Sequence, residues 1–384
     1  MPHVLTLVEQ FWHKVPGGTA QATERTLAAL LDRNEFTFTG LAAAHRHAAG
    51  GDALRRSDSS DAGSRIPEGC RLVHHRLPRP ILYESWLRLG RPAVDDLLGP
   101  DSLFWASSLI VASCRRPVVS TVHDLDFLDH PEFLTRRGRR FFPRMWEVAR
   151  RRSDHFVCPS SVVADQCRAH GVPDDRVSVV PWGVDRPLVD ATDAAELLAD
   201  FARQSGEGVS APSTLPENFV LLVAPDGPRK NPEGCAAALA ATGRTAVIVG
   251  STPPARSPDP FAALDSLVIR LGPVDNRVLS ALYQQAAVLL FPSHREGFGL
   301  PVAEAMAHGL PVVTSRGTAT EEVAAGAAAL VDPADHSDIA ATLERVLTDD
   351  QERQSMVARG WDRAAELTWE QTAKAYAEIF GLVL

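Results

Sequence analysis

One stretch of the sequence has the residue types and spacing of a phosphate site, and it reads FPSHREGFGLPVAEAMAHGLPVVTS at residues 291–315. Pro301 predicts the start of a helix and Gly309 its end, because proline favours the first helical position and glycine the position just past the last. The amides before such a helix have no carbonyl partners, and together with the helix dipole they favour an anion such as phosphate. These amides belong to Phe298, Gly299 and Leu300.

Two carboxylates flank this predicted anion site, with Glu296 in the loop and Glu304 in the first helical turn. A carboxylate repels a phosphate, so we expect both side chains to accept hydrogen bonds from hydroxyl groups. An anion site beside hydroxyl acceptors indicates a sugar nucleotide as ligand. A simpler alternative is that Glu304 only complements the helix dipole.

The same run resembles the Glu-x7-Glu motif of retaining glycosyltransferases of the family 4 type (glycosyltransferase group 1), which have the GT-B fold of two Rossmann-like domains facing a central cleft. Both glutamates fit, as do the GFGLP between them and the EAMAHGLPVV that follows. The resemblance implies transfer of a hexose from a nucleotide-diphosphate sugar to a hydroxyl acceptor, which is a glycan, a lipid-linked compound or a small molecule. It also implies that Glu296 binds sugar hydroxyls or steadies developing positive charge, and that Glu304 holds the ribose.

Two adjacent cations, Arg229 and Lys230, follow a predicted buried strand in the segment FVLLVAPDGPRKNP. Loops at the carboxyl ends of parallel strands line the ligand crevice, and a cationic pair there suits a departing diphosphate. The segment resembles the PRKN motif of the same family, whose lysine contacts the donor diphosphate. Many relatives have an arginine where this chain has Ala224, and we expect Arg229 to compensate. The alternative is a solvated pair of loop residues.

A histidine and two aspartates end another predicted strand in the segment PVVSTVHDLDFLDHP. His123 lies where the family has a TVHDL histidine, which contacts the transferred sugar. Asp124 and Asp126 are predicted to bind acceptor hydroxyls, with capping of local turns as the alternative.

Glycines and one valine complete the predicted donor site. Gly17 and Gly18 precede a helix that is expected to begin near Thr19, and they permit close approach of a ligand. An ordinary turn is an equal alternative, but the resemblance implies contact with the donor diphosphate. Val274 follows a strand at a position where the family's backbone meets the nucleotide base. The sequence has neither a GxGxxG fingerprint nor a P-loop.

Short apolar runs alternate with helical patterns along the whole chain, which predicts an α/β fold with parallel sheets. We expect an N-terminal acceptor-binding domain at residues 1–185, joined by a terminal helix at 369–384, and a C-terminal donor-binding domain at 186–368. The polar stretch Gly50–Gly69 is expected to form a mobile loop that contributes to acceptor binding. The predicted strands are His3–Val8, Phe36–Thr39, Leu72–Leu77, Ser102–Ala106, Val118–Val122, His155–Val157, Val177–Val180, Phe219–Val223, Ala246–Val249, Val268–Leu271, Val288–Phe291, Val312–Thr314 and Ala329–Val331.

The composition predicts a globular protein without membrane-spanning segments. The 384 residues are 45% apolar and 23% charged, with a net charge of −9, which are globular values. Five scattered cysteines without a CxxC pair favour a reducing cytoplasm, and no apolar run approaches the roughly 20 residues that span a bilayer. The sequence shows no metal-binding constellation, so we expect a metal-independent reaction without a cofactor.

The segment Arg136–Arg152 is strongly basic, since it holds eight arginines and one glutamate, a net +7. One interpretation is peripheral contact with anionic lipids at the inner face of the cell membrane. The alternative is a solvated helix whose apolar residues pack on its domain. Nucleic acid is not expected as a partner, because no recognition motif accompanies the arginines.

Two other functions remain open from the sequence. The first is a nucleotide-sugar epimerase of the same fold, which needs no acceptor. The second is a non-catalytic protein that binds a sugar nucleotide or a membrane. The sequence does not identify the base, the sugar or the acceptor, although relatives with a PRKN motif often use GDP-mannose.

Overall fold

A computed structural model describes residues 1–12, 17–45, 65–204, 215–250 and 259–384. Contacts divide the chain into two compact units, the first comprising Met1–Gly183 with Trp369–Leu384 and the second Val184–Thr368. The division between the units therefore lies two residues before the expected one. Residues 50–64 of the predicted acceptor loop lie outside the described part of the chain.

The first unit contains a seven-stranded sheet whose paired strands are all parallel. Its order is β3-β2-β1-β4-β5-β6-β7, so the order reverses between β1 and β4. The strands are β1 His3–Leu7, β2 Thr37–Ala42, β3 Arg71–His74, β4 Ser102–Ala106, β5 Val118–Thr121, β6 His155–Cys158 and β7 Val177–Val179. The helices are α1 Gly18–Asp32, α2 Arg79–Leu89, α3 Asp126–Asp129, α4 Gly138–Arg152, α5 Ser161–Ala169 and, at the end of the chain, α13 Trp369–Val383.

The terminal helix α13 packs into the first unit. Phe380 and Tyr376 belong to the apolar core on the α1 side of the sheet, and both are buried. The Tyr376 hydroxyl also lies 2.8 Å from Thr121 Oγ1, which accepts the indole N–H of Trp105 at 3.0 Å. These buried polar contacts fix α13 against β4 and β5.

The second unit contains a six-stranded parallel sheet with the order β10-β9-β8-β11-β12-β13, which reverses between β8 and β11. Its strands are β8 Val220–Val223, β9 Ala246–Val249, β10 Val268–Gly272, β11 Val288–Phe291, β12 Val312–Ser315 and β13 Ala329–Val331. Its helices are α6 Ala191–Gln204, α7 Pro232–Thr242, α8 Asn276–Gln285, α9 Leu300–Ala307, α10 Ala319–Ala324, α11 His336–Thr348 and α12 Asp350–Glu366.

The predicted fold class is confirmed, because both units are parallel α/β domains and each of the thirteen predicted strands corresponds to an observed strand. The strands are almost continuously apolar because helices cover both faces of a parallel sheet. Within the described residues, the longest helices are too short or too polar to cross a lipid bilayer.

Candidate active site

The loops that follow β8 and β11 meet in the second unit, where the strand order reverses. Lys230 follows β8 and Glu296 follows β11, and the Lys230 Nζ atom lies 2.6 Å from Glu296 Oε1. The same ammonium lies 4.8 Å from the centroid of the Phe291 ring. The two side chains are only 19% and 6% exposed, so the ion pair is largely withdrawn from water. A point of order reversal is where open α/β sheets bind ligands, because the flanking loops separate there.

Asn231 joins these two loops and is a residue whose role the sequence analysis missed. Its side chain caps α7 by accepting from the Gly234 amide, and its Nδ2 donates to the carbonyls of Pro292 at 3.0 Å and Pro333 at 2.8 Å. The His294 amide also donates to the Arg229 carbonyl at 2.9 Å. The sequence does signal one of these roles, because asparagine followed by proline is typical of the start of a helix and predicts that Asn231 caps α7. It does not predict the long-range hydrogen bonds of the Asn231 side chain.

Ala224 directly follows β8, has a positive φ of 45° and is exposed. Its amide donates to the Val249 carbonyl at 2.7 Å, and a Cβ added to Gly250 would lie 2.9 Å from the Ala224 Cα atom. The position where many relatives have an arginine is thus tightly fixed by its backbone.

Gly299 shapes the turn that leads into α9. Its φ is +97°, and a Cβ placed on it would lie 2.5 Å from Thr320 Cγ2, so glycine is required there. Within the described part of the chain, the amides of Gly299 and Leu300 donate to no backbone acceptor. These two N–H groups therefore remain available at the helix N-terminus. Phe298, which precedes them, is buried.

Glu304 is the fifth residue of α9 and so lies in its second turn, not in the first as predicted. The helix begins at Leu300, one residue before Pro301, and the backbone of Gly299 supplies its cap. The Tyr283 hydroxyl donates to Glu304 Oε2 at 2.8 Å. Burial of Tyr283, with the adjacent Glu304 charge, raises the pKa of the phenol well above its usual value, so it stays a donor.

Val274 and a capping threonine complete the second unit's site. Val274 lies between β10 and α8, directly before Asp275, whose Oδ1 caps α8. Because α8 also carries Tyr283, one helix links the predicted base-binding and ribose-binding positions. The N-cap of α10 is Thr318, whose hydroxyl accepts from the Thr320 amide.

His123 follows β5 in the first unit. Its Nε2 lies 2.8 Å from the Ser107 carbonyl, which can only accept, so Nε2 carries the proton. The other nitrogen, Nδ1, is buried and has no hydrogen-bond partner among the described residues. Burial lowers the pKa of His123 to about 4, so the imidazole is neutral at pH 7 and Nδ1 presents a lone pair.

Trp182 and Ser107 surround His123, and the sequence analysis assigned chemistry to neither. The Trp182 ring centroid lies 5.4 Å from that of His123, and Trp182 is 6% exposed. The Ser107 hydroxyl donates to the Leu7 carbonyl and accepts from Gln10 Nε2 at 2.9 Å. The ends of β1, β4 and β5 are thereby joined around the histidine, at the order reversal of this sheet.

The remaining predicted residues of the first unit have different surroundings. Asp126 is buried, and its Oδ1 accepts from Gln166 Nε2 at 2.9 Å, which holds the start of α3 against α5. Asp124 is half-buried. Gly17 and Gly18 are exposed at the N-terminus of α1, and nothing lies within 4 Å of a Cβ added to Gly17. In the described ranges, no group of three or more histidine, cysteine, aspartate or glutamate side chains could hold a metal ion.

Both units match known families of glycosyltransferases. The family model described as Glycosyltransferase Family 4 matches residues 17–186, and the model described as Glycosyl transferases group 1 matches residues 227–349. The chain belongs to the group 1, family 4 type of glycosyltransferases. The expected family is thus confirmed, and one model matches residues 17–186 and the other residues 227–349.

Curated relatives of this glycosyltransferase include mannosyltransferases. The O-antigen chain mannosyltransferase B of Escherichia coli is 42% identical over 110 residues, which are 28% of this chain and 29% of the relative. The MMP alpha-(1->4)-mannosyltransferase of Mycolicibacterium hassiacum is 27% identical over 315 residues, which are 76% of this chain and 71% of the relative. The matched region therefore spans under a third of the first relative's length.

Solved structures show the same fold over the whole glycosyltransferase chain. Sucrose-phosphate synthase from Thermosynechococcus elongatus has a TM-score of 0.71 at 18% identity, covering 100% of this chain and 99% of that one. Anabaena HepE in complex with UDP-glucose has a TM-score of 0.71 at 17% identity, covering 99% and 100%. At these identities the likeness establishes the GT-B fold alone.

Proposed function

We propose that this glycosyltransferase moves a hexose, with mannose favoured, from a nucleoside-diphosphate sugar to a hydroxyl acceptor with retention of the anomeric configuration. The second unit binds the donor and the first binds the acceptor. The observation that carries this proposal is the Lys230–Glu296 pair at the order reversal, next to the unpaired amides of Gly299 and Leu300. Mannosyltransferases among the relatives and a UDP-glucose complex among the similar structures support the choice of donor class.

Lys230, Arg229 and the helix-end amides bind the donor diphosphate in this proposal, and Gly17 and Gly18 allow close approach from the first unit. Positive groups fixed in a partly desolvated site stabilise the negative charge that grows on the leaving diphosphate. The lysine ammonium has three N–H donors, so it can bond a phosphate oxygen and Glu296 together. These groups supply the positive field that a metal ion supplies elsewhere, and we propose a reaction that needs no metal.

Glu296 and Glu304 accept hydrogen bonds from the two parts of the donor that carry hydroxyl groups, the transferred sugar and the ribose. Glu304, held by Tyr283, accepts from the ribose hydroxyls, with the base near Val274. Glu296 accepts from sugar hydroxyls and steadies the positive charge that develops at the anomeric carbon. The neutral Nδ1 of His123 accepts from a sugar hydroxyl, which satisfies a buried nitrogen that has no partner among the residues that the structure describes.

The reaction then needs no protein nucleophile. The bond from the anomeric carbon to the diphosphate oxygen breaks, and the acceptor oxygen bonds to the same face of the sugar. The acceptor proton passes to the leaving phosphate, which serves as the base. Glu304 lies in the second turn of α9, where a carboxylate interacts only weakly with the helix dipole. This position argues against the alternative that Glu304 only complements the dipole.

A donor panel followed by product analysis tests this function. UDP, GDP, ADP and dTDP sugars are compared by thermal shift, since a ligand that binds the native state raises the melting temperature. NMR of the product made from the stabilising donor should show the donor's anomeric configuration. A rearranged sugar formed without acceptor would indicate an epimerase instead, and binding without turnover would indicate a non-catalytic protein.

We also propose that the basic helix α4 contacts anionic lipid. Its apolar residues Met145 and Trp146 are buried in the domain, so they are not available to a membrane. The arginines at its N-terminal end instead line a groove with α2, which exposes Ile81 and Leu89. Arginine side chains near an anionic membrane contribute about 1 kcal/mol each.

Vesicle co-sedimentation tests the lipid contact. Vesicles containing phosphatidylglycerol should bind the wild type, and the double variant Arg137→Glu/Arg140→Glu should bind more than about tenfold less. Arg359→Glu, an exposed arginine on α12, serves as the matched control. Equal binding by the double variant would show that α4 is only a solvated helix.

A further inference from the structure

A cluster of polar and aromatic side chains lies at the carboxyl ends of β1, β2 and β3, and the proposed donor chemistry uses none of it. We call it the Glu9 cluster, and it consists of Glu9, Trp12, His45, His74 and Arg79. All five belong to the first unit. Glu9 and Trp12 are the two ends of a single 3-10 turn that follows β1.

Glu9 is a buried carboxylate with unused hydrogen-bonding capacity. It is 2% exposed, and its Oε2 accepts from the Ala43 amide at 2.8 Å and lies 3.2 Å from His45 Nε2. The other oxygen, Oε1, accepts no hydrogen bond in the described part of the chain, although His45 Nε2, which is bonded to Oε2, also lies 3.2 Å from it and Arg79 Nε is 4.0 Å away. A buried carboxylate oxygen is costly unless it is hydrogen-bonded, so an unmet acceptor here indicates a missing donor.

Aromatic rings stand directly beside this carboxylate. The Trp12 and His45 rings stack with centroids 4.8 Å apart and planes at 10°, and the His74 ring meets the indole edge-on at 5.5 Å. The His45 side chain is 25% exposed, and Trp12 is half-buried, so part of this surface is open to a ligand. His74 is fixed by its Nδ1, which lies 3.0 Å from the Ala43 carbonyl. A rigid aromatic surface with a polar edge suits a ligand that has both apolar and hydroxyl faces.

A short chain of hydrogen bonds connects the Glu9 cluster to the sugar-binding histidine. Gln10, in the same turn as Glu9 and Trp12, donates to the Ser107 hydroxyl at 2.9 Å. The Ser107 carbonyl holds His123 Nε2 at 2.8 Å. An acceptor bound at the cluster would therefore be connected, through Gln10 and Ser107, to the group proposed to contact the transferred sugar.

We infer that the Glu9 cluster is the acceptor subsite and that it takes a neutral carbohydrate, whose ring packs on Trp12 and His45 and whose hydroxyl donates to Glu9 Oε1. The inference rests on the proposed glycosyl transfer and names its acceptor class. A phosphorylated acceptor fits less well, because the Glu9 carboxylate would repel it and because Arg79 already faces that carboxylate.

Saturation-transfer NMR with two probes tests the subsite without needing turnover. Methyl α-D-mannoside represents a neutral sugar, and D-inositol 3-phosphate represents an anionic polyol. Wild type, Trp12→Leu and Glu9→Gln are compared, with Trp361→Leu as the matched control, since Trp361 is an exposed tryptophan of the second unit. Glutamine at position 9 keeps an oxygen for the Ala43 amide, so this variant is expected to fold. Melting temperature and nucleoside-diphosphate affinity verify the fold of every variant.

The mannoside should receive saturation from the wild type and from Trp361→Leu. Its affinity should fall about tenfold in Glu9→Gln and below detection in Trp12→Leu. A mannoside signal that persists in Trp12→Leu would place the sugar elsewhere, and binding of the inositol phosphate alone, or of neither probe, would also overturn the inference. Loss of nucleoside-diphosphate binding in Lys230 variants tests the donor site separately, so failure of the acceptor subsite is distinguishable from failure of the proposed function.

Discussion

Replacing Lys230 should weaken donor binding, whereas replacing its ion-pair partner Glu296 should strengthen it. In the free enzyme the ammonium is 2.6 Å from the carboxylate, so a donor diphosphate must share or displace that contact. Lys230→Met removes the attraction for the diphosphate. Glu296→Gln removes a competitor for the ammonium and a negative charge that repels phosphate, while keeping the side chain's shape.

The magnitudes follow from the burial of the pair. A hydrogen bond to a charged group contributes about 1.5–3 kcal/mol, so Lys230→Met should weaken nucleoside-diphosphate binding by about 10- to 100-fold. A carboxylate and a phosphate that share one ammonium lie roughly 5 Å apart, where like charges repel by about 1 kcal/mol in water and by about 3 kcal/mol at an effective dielectric of about 20. Because the pair is largely withdrawn from water, Glu296→Gln should tighten binding by at least about fivefold. Each single variant should also lose about 2 kcal/mol of unfolding free energy, between the values for exposed and fully buried pairs.

Calorimetric titration with UDP and GDP at fixed ionic strength measures both effects. Glu344→Gln is the matched control, because it breaks the Arg244–Glu344 ion pair of the same unit, also 2.6 Å long. The rate of sugar transfer should fall in Glu296→Gln although nucleotide binding improves, because Glu296 is proposed to act on the sugar. The reasoning is refuted if Glu296→Gln weakens nucleotide binding as Lys230→Met does, since the pair would then be a scaffold for the loops.

Three further predictions concern single contacts. The pKa of His123 is about 4 in the folded protein and about 6.5 in the unfolded chain, so between these pH values the unfolded chain binds more protons. The unfolding free energy should therefore fall by at most about 3 kcal/mol as the pH is lowered from 6.5 to 4. Urea titrations of His123→Gln should lack this pH-dependent loss of stability. Tyr283→Phe should weaken calorimetric binding of nucleoside diphosphate several-fold but leave pyrophosphate binding unchanged, because it releases only Glu304. Gly299→Ala should lower unfolding free energy by about 2 kcal/mol or more in chemical denaturation, and adding Thr320→Ser should restore part of it by removing the contacting methyl; no recovery would contradict the steric explanation.

The strands were predictable because a parallel sheet buried on both faces needs continuous apolar runs. The runs Val288–Phe291 and Ala246–Val249 were predicted with their observed bounds. Helix starts were less certain, and Glu304 was placed a turn too early because the sequence does not reveal that the helix begins at Leu300.

Long-range contacts within the site could not be predicted. Lys230 and Glu296 both lie in recognisable motifs, yet their pairing depends on β8 lying beside β11, and strand order cannot be read from local spacing. The Glu9 cluster was missed for the same reason. Glu9 and His45 follow two different strands and His74 is the last residue of a third, and no motif marks any of them.

The candidate site residues of each unit lie where the strand order of its sheet reverses, but the second unit offers positively charged donors there and the first a neutral acceptor. At the β8–β11 reversal, Lys230 and the amides before α9 offer positive charge to a diphosphate. At the β1–β4 reversal, Ser107 holds a neutral His123 whose free nitrogen is an acceptor. At such a reversal the carboxyl ends of the strands border a crevice, whatever the loops contain. Loop residues therefore decide what each unit can bind. In the proposed function the second unit binds the phosphates, and Glu296 and Glu304 accept from donor hydroxyls, whereas His123 of the first unit adds one more acceptor for a sugar hydroxyl.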